Sequence, residues 1–234
     1  RTNVNASSIQ PRLWQKHLMQ LLHRRLEANQ NAERDILVHA GPGAGKTLGA
    51  LLSFKEMQKK GFLKYFVVFC HRNSITCQWQ QASDKLGLKV QNLEFQSKQQ
   101  LLDLHLDGWI LTYQGASRTL QKENNIWQIF SNEKVLAIAD EAHHLGVSPD
   151  EPESPAWGKA FLKLTANSRL RLGLTGTPFR ADNLAFCSAR KVPVQSYKGE
   201  LAEQITPDLC VESRELISAG DVRPLEFHFQ DGWV

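Results

Sequence analysis

The sequence predicts an α/β fold in which helices cover both faces of a mainly parallel central sheet. Strand-like and helix-like segments alternate along residues 11–180, as they do in parallel sheets joined by helical crossovers. Several strands are apolar on both faces, for example 67–69 and 135–139. Strands have this composition when helices lie on either side of the sheet. In such a sheet, ligands bind beyond the carboxyl ends of the strands.

The predicted elements follow in chain order. Apolar residues three and four positions apart predict an amphipathic helix over 11–28, and a short apolar run predicts a strand over 36–39. Apolar, β-branched and aromatic runs predict further strands at 65–70, 88–94, 108–112, 134–139 and 169–174. The segments between them predict helices at 46–60, 74–86, 113–121, 123–131 and 156–166. Prolines among acidic residues indicate a surface loop over 145–158, while 207–219 is compatible with a helix and 225–229 alternates like a strand.

The composition argues against a membrane or secreted protein and leaves the partner open. The 234 residues are 41% hydrophobic and 22% charged, as in ordinary globular proteins. No segment approaches the roughly 20 apolar residues of a membrane helix, and the polar N-terminus does not resemble a secretory signal. We therefore expect no membrane partner and a cytoplasmic, nucleoid or nuclear location. The net charge of +4 permits an anionic partner without requiring one, and the four cysteines lack the spacing of a zinc site.

A glycine-rich loop joins the first predicted strand to the next predicted helix, with the sequence Ala40-Gly41-Pro42-Gly43-Ala44-Gly45-Lys46-Thr47. That order of strand, loop and helix is the context in which such a loop binds phosphate. The glycines allow backbone N–H groups to converge on an anion, and the helix adds its positive N-terminal end. Lys46 offers a charge to the outer phosphates and Thr47 a hydroxyl to Mg²⁺, so the loop predicts a site for MgATP. The alternative is a glycine-rich turn followed by a chance Lys-Thr pair.

Two carboxylates, Asp140 and Glu141, follow a buried strand. A carboxylate at a strand tip can hold Mg²⁺ opposite Thr47, and a second one beside it can deprotonate the attacking water. We therefore assign Asp140 to the metal and Glu141 to the general base. His143 is the candidate that bonds to a neighbouring loop and reports the nucleotide state. The alternative is that both acids only cap the next helix, and His144 is interpreted as a surface or packing residue.

Together these motifs resemble those of the superfamily 2 helicases and translocases. The glycine loop is similar to motif I, residues 140–143 to motif II in its DEAH form, and residues 174–180 to motif III in its TGTP form. Three further segments resemble an N-terminal element whose glutamine reads adenine, motif Ia, and the backbone-contacting segment after it: 11–15, 67–79 and 110–114. All six occur in family order.

The resemblance implies a three-layer RecA-like P-loop NTPase fold and roles for individual residues. The residues with catalytic roles would be Lys46, Asp140, Glu141 and His143. Nucleotide would be held by Gln15, Gly41, Gly43, Ala44, Gly45, Lys46 and Thr47. Nucleic-acid contact and coupling would involve Arg72, Thr112, Gln114, Thr175, Thr177 and Arg180. From the residues alone, an alternative remains for each: a solvated charge for Arg72, a solvated helix residue for Gln15, and a simple turn for the two motif III threonines.

The resemblance also implies a domain organisation. Residues 1–234 would form a single N-terminal RecA-like ATP-binding domain, with an N-terminal helix over 1–30, a motor core over 31–183 and an extension over 184–234. Because the first residue is Arg1 and the six motifs end near residue 180, we expect a longer protein with a second RecA-like domain. That domain would supply the arginine fingers, so this chain alone should hydrolyse ATP only weakly.

The form of motif III bears on the nucleic acid. Thr175-Gly176-Thr177-Pro178 is closest to the branch of restriction-subunit translocases and excision-repair helicases, so we expect DNA rather than RNA. The leading hypothesis is therefore the ATP-binding half of a nucleic-acid-dependent motor that uses ATP and Mg²⁺. The alternatives are an RNA helicase domain, a P-loop ATPase that remodels protein, and a nucleotide-gated recruitment module.

Overall fold

The computed structural model describes residues 9–28, 33–71, 73–93, 105–120, 130, 132–146, 152–176, 191–195 and 201–211. The α-helices in these ranges are α1 (Leu13–Glu27), α2 (Lys46–Lys59), α3 (Asn73–Lys85), α4 (Tyr113–Leu120) and α5 (Ser154–Leu164). A short 3-10 helix covers Ala142–Leu145. The strands are β1 (Asp35–Ala40), β2 (Tyr65–Cys70), β3 (Val90–Asn92), β4 (Gly108–Thr112), β5 (Val135–Ala139), β6 (Leu170–Thr175), β7 (Lys191–Gln195), β8 (Leu201–Ile205) and β9 (Leu209–Val211).

Seven of these strands form one sheet in the order β3-β4-β2-β5-β6-β1-β9. Every neighbouring pair in it is parallel, whereas β7 and β8 pair antiparallel with each other. The predicted α/β fold with a mainly parallel sheet is confirmed. Because β6 lies between β5 and β1, the carboxyl ends of these three strands lie side by side.

The strand β2 explains why the central strands are apolar on both faces. All of its residues are buried. Phe66 and Val68 pack in a core cluster with residues of α1 and α2, whereas Val67 and Phe69 pack in a second cluster with residues of α4 and α5. Side chains alternate between the two faces along a strand, so a strand covered by helices on both sides must be apolar at every position.

The helix predicted over 207–219 is wrong where the structure describes it, because Leu209–Val211 form β9. This strand pairs with the outer edge of β1. Asp208 fixes the pairing, since its Oδ2 accepts the Leu37 N–H at 2.8 Å and its own N–H donates to Leu37 O at 2.8 Å. Pairing of an open strand edge, which satisfies backbone groups, outweighs the local helix pattern. The main sheet therefore includes a strand from beyond the predicted core of 31–183.

Two further differences concern a strand and a loop. Within the described residues, the strand predicted over 88–94 is limited to β3, which lies at one end of the strand order and pairs with β4. The loop predicted over 145–158 ends earlier, because α5 begins at Ser154 and accommodates Pro155 in its first turn, where a missing N–H removes no helical bond. Residues 123–129 and 131, 212–219 and 225–229 lie outside the described ranges. None of the described helices is long and apolar enough to span a membrane.

Candidate functional site

The glycine loop leaves β1 and enters α2 at Lys46. Gly43 and Gly45 have φ angles of 79° and 77°, in the left-handed region that residues with a Cβ rarely adopt. A Cβ on Gly45 would also lie 3.0 Å from Nε2 of Gln15. The loop therefore requires glycine at these positions, and it brings the positive N-terminal end of α2 to the carboxyl edge of the sheet.

The start of α1 holds this loop from outside. Three side chains there donate to three consecutive loop carbonyls: Arg12 to Gly43 at 2.8 Å, Trp14 to Ala44 at 2.8 Å, and Gln15 to Gly45 at 3.1 Å. The two helices also approach closely, because a Cβ on Gly49 of α2 would lie 2.7 Å from the ring of Trp14. These three bonds fix the loop backbone against α1 through its carbonyl groups.

Gln15 is buried rather than solvated, with 1% of its surface exposed. Its Oε1 accepts the backbone N–H of Arg12 at 2.9 Å, while its Nε2 is bonded to Gly45. The interpretation of Gln15 as a solvated helix residue is therefore wrong. The structure places Gln15 against the phosphate loop, and its recognition of adenine stays a prediction.

A cavity of about 590 Å³ lies beside the loop. Its lining combines residues 41 and 43–48 with Ile9 and with one face of α3, made by Gln78, Gln81, Ala82 and Lys85. The volume is in the range usual for ligand and cofactor sites. A nucleoside triphosphate fits this lining, because the loop backbone and Lys46 suit its phosphates and Ile9 offers apolar surface.

Glu141 lies just beyond the end of β5 and reaches the loop across β6. Lys46 Nζ donates to Glu141 Oε1 at 2.6 Å. The φ of Glu141 is 45°, the only positive value among the described residues other than glycine, and such backbone persists only where its surroundings hold it. Glu141 makes no side-chain capping bond to the 3-10 helix that follows, so the helix-cap interpretation is wrong for this residue.

The environment of Glu141 keeps it ionised. Burial acts to raise the pKa of Glu141, but the hydrogen bond and charge of Lys46, helped by His143, outweigh burial and hold that pKa below its usual value. The carboxylate form therefore dominates at neutral pH. This is the form that can accept a proton from water.

Asp140 is nearly buried, with 7% of its surface exposed. Its Oδ2 accepts the Trp79 Nε1–H at 2.8 Å and its Oδ1 accepts the Glu141 N–H at 2.9 Å. Burial raises the pKa of Asp140, and the Trp79 hydrogen bond opposes that rise. A carboxylate together with the hydroxyl of Thr47 at the start of α2 supplies hard oxygen donors, which Mg²⁺ supplements with phosphate and water. The two residues therefore fit this ion by the chemistry of their donors.

The end of β6 connects Asp140 and Glu141, here called the acidic pair, to the glycine loop. His143 Nδ1 lies 3.1 Å from Thr175 Oγ1 and 3.3 Å from Glu141 Oε2. On the other side of β6, His39 Nε2 lies 3.4 Å from Gly176 O, and burial lowers the pKa of His39. Residues at or just beyond the carboxyl ends of β5, β6 and β1 are thus linked by side-chain contacts.

His144 is a packing residue, which is one of the two roles, surface or packing, expected for it from the sequence. Its ring stacks on His71 with centroids 4.1 Å apart and lies 4.2 Å from the ring of His143. His71 in turn meets Trp157 edge-on at 5.4 Å. The segment that resembles motif Ia is therefore packed directly against the residues after β5.

The predicted nucleic-acid residues are only partly described. Thr112 Oγ1 accepts the Gly115 N–H at 3.0 Å and so caps α4. Gln114 is half-buried, and its Oε1 has no hydrogen-bond partner within the described ranges. Arg72, Thr177 and Arg180 lie outside those ranges. A nucleic-acid role for these five residues stays a prediction.

Sequence reasoning missed five residues that shape the site: Arg12, Trp14, His39, Trp79 and Tyr113. Tyr113, for example, donates from its hydroxyl to Asp140 O at 2.6 Å. Each of the five contacts a partner between 27 and 137 positions away, so no local pattern indicates its role. The one available signal is their place within or beside the recognised motifs.

Comparisons with known proteins identify the family and the fold. Residues 8–180 match the family described as type III restriction enzyme, res subunit. Curated relatives include an uncharacterised protein of Mycobacterium leprae, 28% identical over 205 residues that make up 85% of this chain and 31% of the relative. Another is an uncharacterised protein of Mycobacterium tuberculosis, 30% identical over 200 residues, or 83% of this chain and 30% of the relative. The chain thus spans under a third of the length of these relatives.

Two solved structures share the fold. One is the Sulfolobus solfataricus SWI2/SNF2 ATPase core in complex with dsDNA, with a TM-score of 0.57 and 20% identity over 77% of this chain and 36% of that one. The other is the UvsW helicase from bacteriophage T4, with a TM-score of 0.51 and 14% identity over 72% of this chain and 53% of that one. The chain belongs to the type III restriction enzyme res subunit family, a superfamily 2 helicase family, and has the fold of its first RecA-like domain.

Proposed function

We propose that this chain is the ATP-binding half of a nucleic-acid-dependent ATPase that moves along or unwinds DNA. The observation that carries the proposal is the 2.6 Å contact between Lys46 Nζ and Glu141 Oε1. This contact brings the lysine of the glycine loop and an ionised carboxylate to one point of the sheet edge, which supports a site for phosphate binding and hydrolysis. Membership of a helicase family supports the same proposal.

The residues of the site divide the work of hydrolysis. The loop N–H groups and Lys46 would hold the phosphates, so Lys46 exchanges its contact with Glu141 for one with the substrate. Glu141 is then free to orient a water molecule and accept its proton. Asp140 and Thr47 would hold Mg²⁺, which neutralises charge on the outer phosphates when bound.

His143 and Thr175 connect hydrolysis to movement in this proposal. Their contact at 3.1 Å joins the residue after the acidic pair to the end of β6. Because His143 also lies 3.3 Å from Glu141, a displacement of the Glu141 side chain changes the surroundings of Thr175. A second RecA-like domain would sense this change at Thr177 and Arg180 and would supply the arginines that complete the site.

DNA is the nucleic acid that the observations favour. The TGTP form of residues 175–178 belongs to the DNA-dependent branch that the motifs resemble, and a DNA-bound ATPase core shares the fold. Contacts would run past the ends of β2 and β4, near Thr112 and Gln114. They would go to the backbone and fix position without selecting sequence.

Steady-state ATP hydrolysis by the full-length protein tests the proposal, with single-stranded DNA, duplex DNA and RNA compared at one fixed salt concentration. We expect DNA to raise kcat and RNA to leave it near the basal rate. Stimulation by RNA alone would make this an RNA helicase domain. Tight ATP binding without stimulation by any nucleic acid would favour a nucleotide-gated recruitment module. Strong DNA-stimulated turnover by the 234-residue chain alone would contradict the need for a second domain.

A further inference from the structure

Trp79 connects the middle of α3 to the acidic pair. The side chain is fully buried, and its Nε1 donates to Asp140 Oδ2 at 2.8 Å. An indole N–H donates and cannot accept, and a hydrogen bond to a charged oxygen is among the stronger kinds in proteins. The contact therefore directs one oxygen of the Asp140 carboxylate toward α3.

A second donor fixes the other oxygen. Asp140 Oδ1 accepts the Glu141 N–H at 2.9 Å, so the two oxygens of the carboxylate are held from different directions. An ionised carboxylate has about four lone-pair sites. Two are used by these donors, which leaves the others for a cation while rotation of the group is blocked.

The same turns of α3 also reach the nucleotide cavity. Gln78 and Gln81, which flank Trp79 in sequence, line that cavity, while Trp79 points into the core. The helix therefore contacts the predicted metal ligand with one face and the nucleotide space with another. A shift of α3 would alter both together.

Trp109 provides an internal comparison. It is also fully buried, but its Nε1 has no hydrogen-bond partner within the described residues. Among the described residues, Trp79 therefore packs and donates to Asp140, whereas Trp109 packs without a partner for its N–H. Packing alone does not explain the contact at Trp79.

We propose that Trp79 is a positioning residue that orients the Asp140 carboxylate for Mg²⁺, a role that rests on the proposed nucleotide site. It acts through Asp140 and does not touch the metal or the substrate. Loss of an outer partner of a metal ligand commonly lowers metal affinity by about 10–100-fold. We expect a loss in that range when the indole N–H is removed.

Binding of a fluorescent ATP analogue to the full chain, in EDTA and over a series of Mg²⁺ concentrations, tests this role. Trp79→Phe should leave the affinity for the ATP analogue in EDTA unchanged. It should raise the Mg²⁺ concentration at which Mg²⁺ has half of its maximal effect on that affinity by about tenfold or more. Trp109→Phe, which also removes a buried indole, should match the wild type in both measurements. An equal Mg²⁺ requirement in the two variants would overturn the role of Trp79. A wild-type chain that binds no nucleotide at any Mg²⁺ concentration would instead overturn the proposed function.

A measurement on the wild type covers the case in which Trp79→Phe does not fold. The indole N–H resonances can be followed by NMR after selective labelling at positions 79 and 109. Adding Mg²⁺ to the ATP-bound chain should move the Trp79 N–H resonance and leave the Trp109 resonance in place. A Trp79 resonance that does not move would overturn the proposal.

Discussion

The two ends of the central strands carry ion pairs of equal length and different kind. At the amino end, Arg171 Nε lies 2.6 Å from Asp35 Oδ1, and the two residues are register partners on β6 and β1. At the carboxyl end, Lys46 Nζ lies 2.6 Å from Glu141 Oε1. This second pair joins a loop to a residue with a φ of 45°, and no strand pairing fixes it. The first pair is therefore held by the sheet, whereas the second is the pair that we propose a ligand separates.

The basic residues also differ between the two ends of the strands, with arginines at the amino end and a lysine at the carboxyl end. At the amino end, Arg169 Nη2 donates to the carbonyls of Arg25, Leu26 and Ala28 at the end of α1, and Arg25 also pairs with Asp208 at 3.0 Å. Arginine suits this work because its planar group makes several fixed bonds. At the carboxyl end the cation is a lysine, a compact charge on a flexible stem. A lysine can move from a carboxylate to a phosphate with little rearrangement.

The largest expected effect on nucleotide binding comes from removing that lysine. Lys46→Ala should weaken nucleotide binding by about 100-fold or more, because charge-assisted bonds to the phosphates are lost. Fluorescence titration with an ATP analogue measures this change. Lys59→Ala, an exposed lysine in the last turn of the same helix, is the control and should bind as the wild type does. Unchanged nucleotide affinity in Lys46→Ala would contradict the assignment of the carboxyl-end ion pair to nucleotide binding.

The second effect separates hydrolysis from binding. Glu141→Gln in the full-length protein should lower kcat about 10²–10⁴-fold, the usual contribution of a general base, while the affinity for ATP is retained. Single-turnover hydrolysis and equilibrium binding measure the two quantities. Glu56→Gln, a carboxylate on the exposed side of α2, should leave both unchanged. Normal turnover in Glu141→Gln would assign the base to another residue.

The third effect belongs to the amino end and should appear in stability alone. Arg171→Met should lower the free energy of unfolding by about 1.5–3 kcal/mol, because a largely buried charged hydrogen bond is lost. Urea unfolding measures the change, and a cycle with Asp35→Asn separates the pair from its surroundings. Nucleotide affinity should stay at the wild-type value. If Arg171→Met lowered nucleotide affinity without lowering the free energy of unfolding, the ion pair at the amino end would not be purely structural.

The smallest effect concerns pH. Burial, with the charge of Lys46 acting in the same direction, lowers the pKa of His39 despite its contact with Gly176. The unfolded chain therefore binds a proton at a higher pH than the folded chain, so stability falls as pH drops below about 6.5. Unfolding midpoints at pH 7.5 and 5.5 should differ less in His39→Gln than in the wild type. An equal or larger difference in the variant would exclude His39 as the source.

The parts of the molecule that the sequence predicted are those with a local pattern. Apolar runs such as 135–139 identify central strands because both faces are covered, and the glycine loop is recognisable because left-handed backbone at Gly43 and Gly45 demands glycine. β9 escaped prediction because three residues carry too little pattern, and its pairing depends on the carboxylate of Asp208. The contact of Trp79 with Asp140 spans 61 positions, so only the folded chain brings the two together.

The insertion of β6 between β1 and β5 has a consequence for the size of the reaction space. Neighbouring strands lie about 4.8 Å apart, so the end of β1 and the end of β5 are separated by about 10 Å. The side chains of Lys46 and Glu141 bridge this gap when they touch. If Lys46 turns to a phosphate as proposed, a space of that order opens between the two strand ends. The separation of the strands is set by the hydrogen bonds of the sheet, so we expect it to stay constant when nucleotide binds.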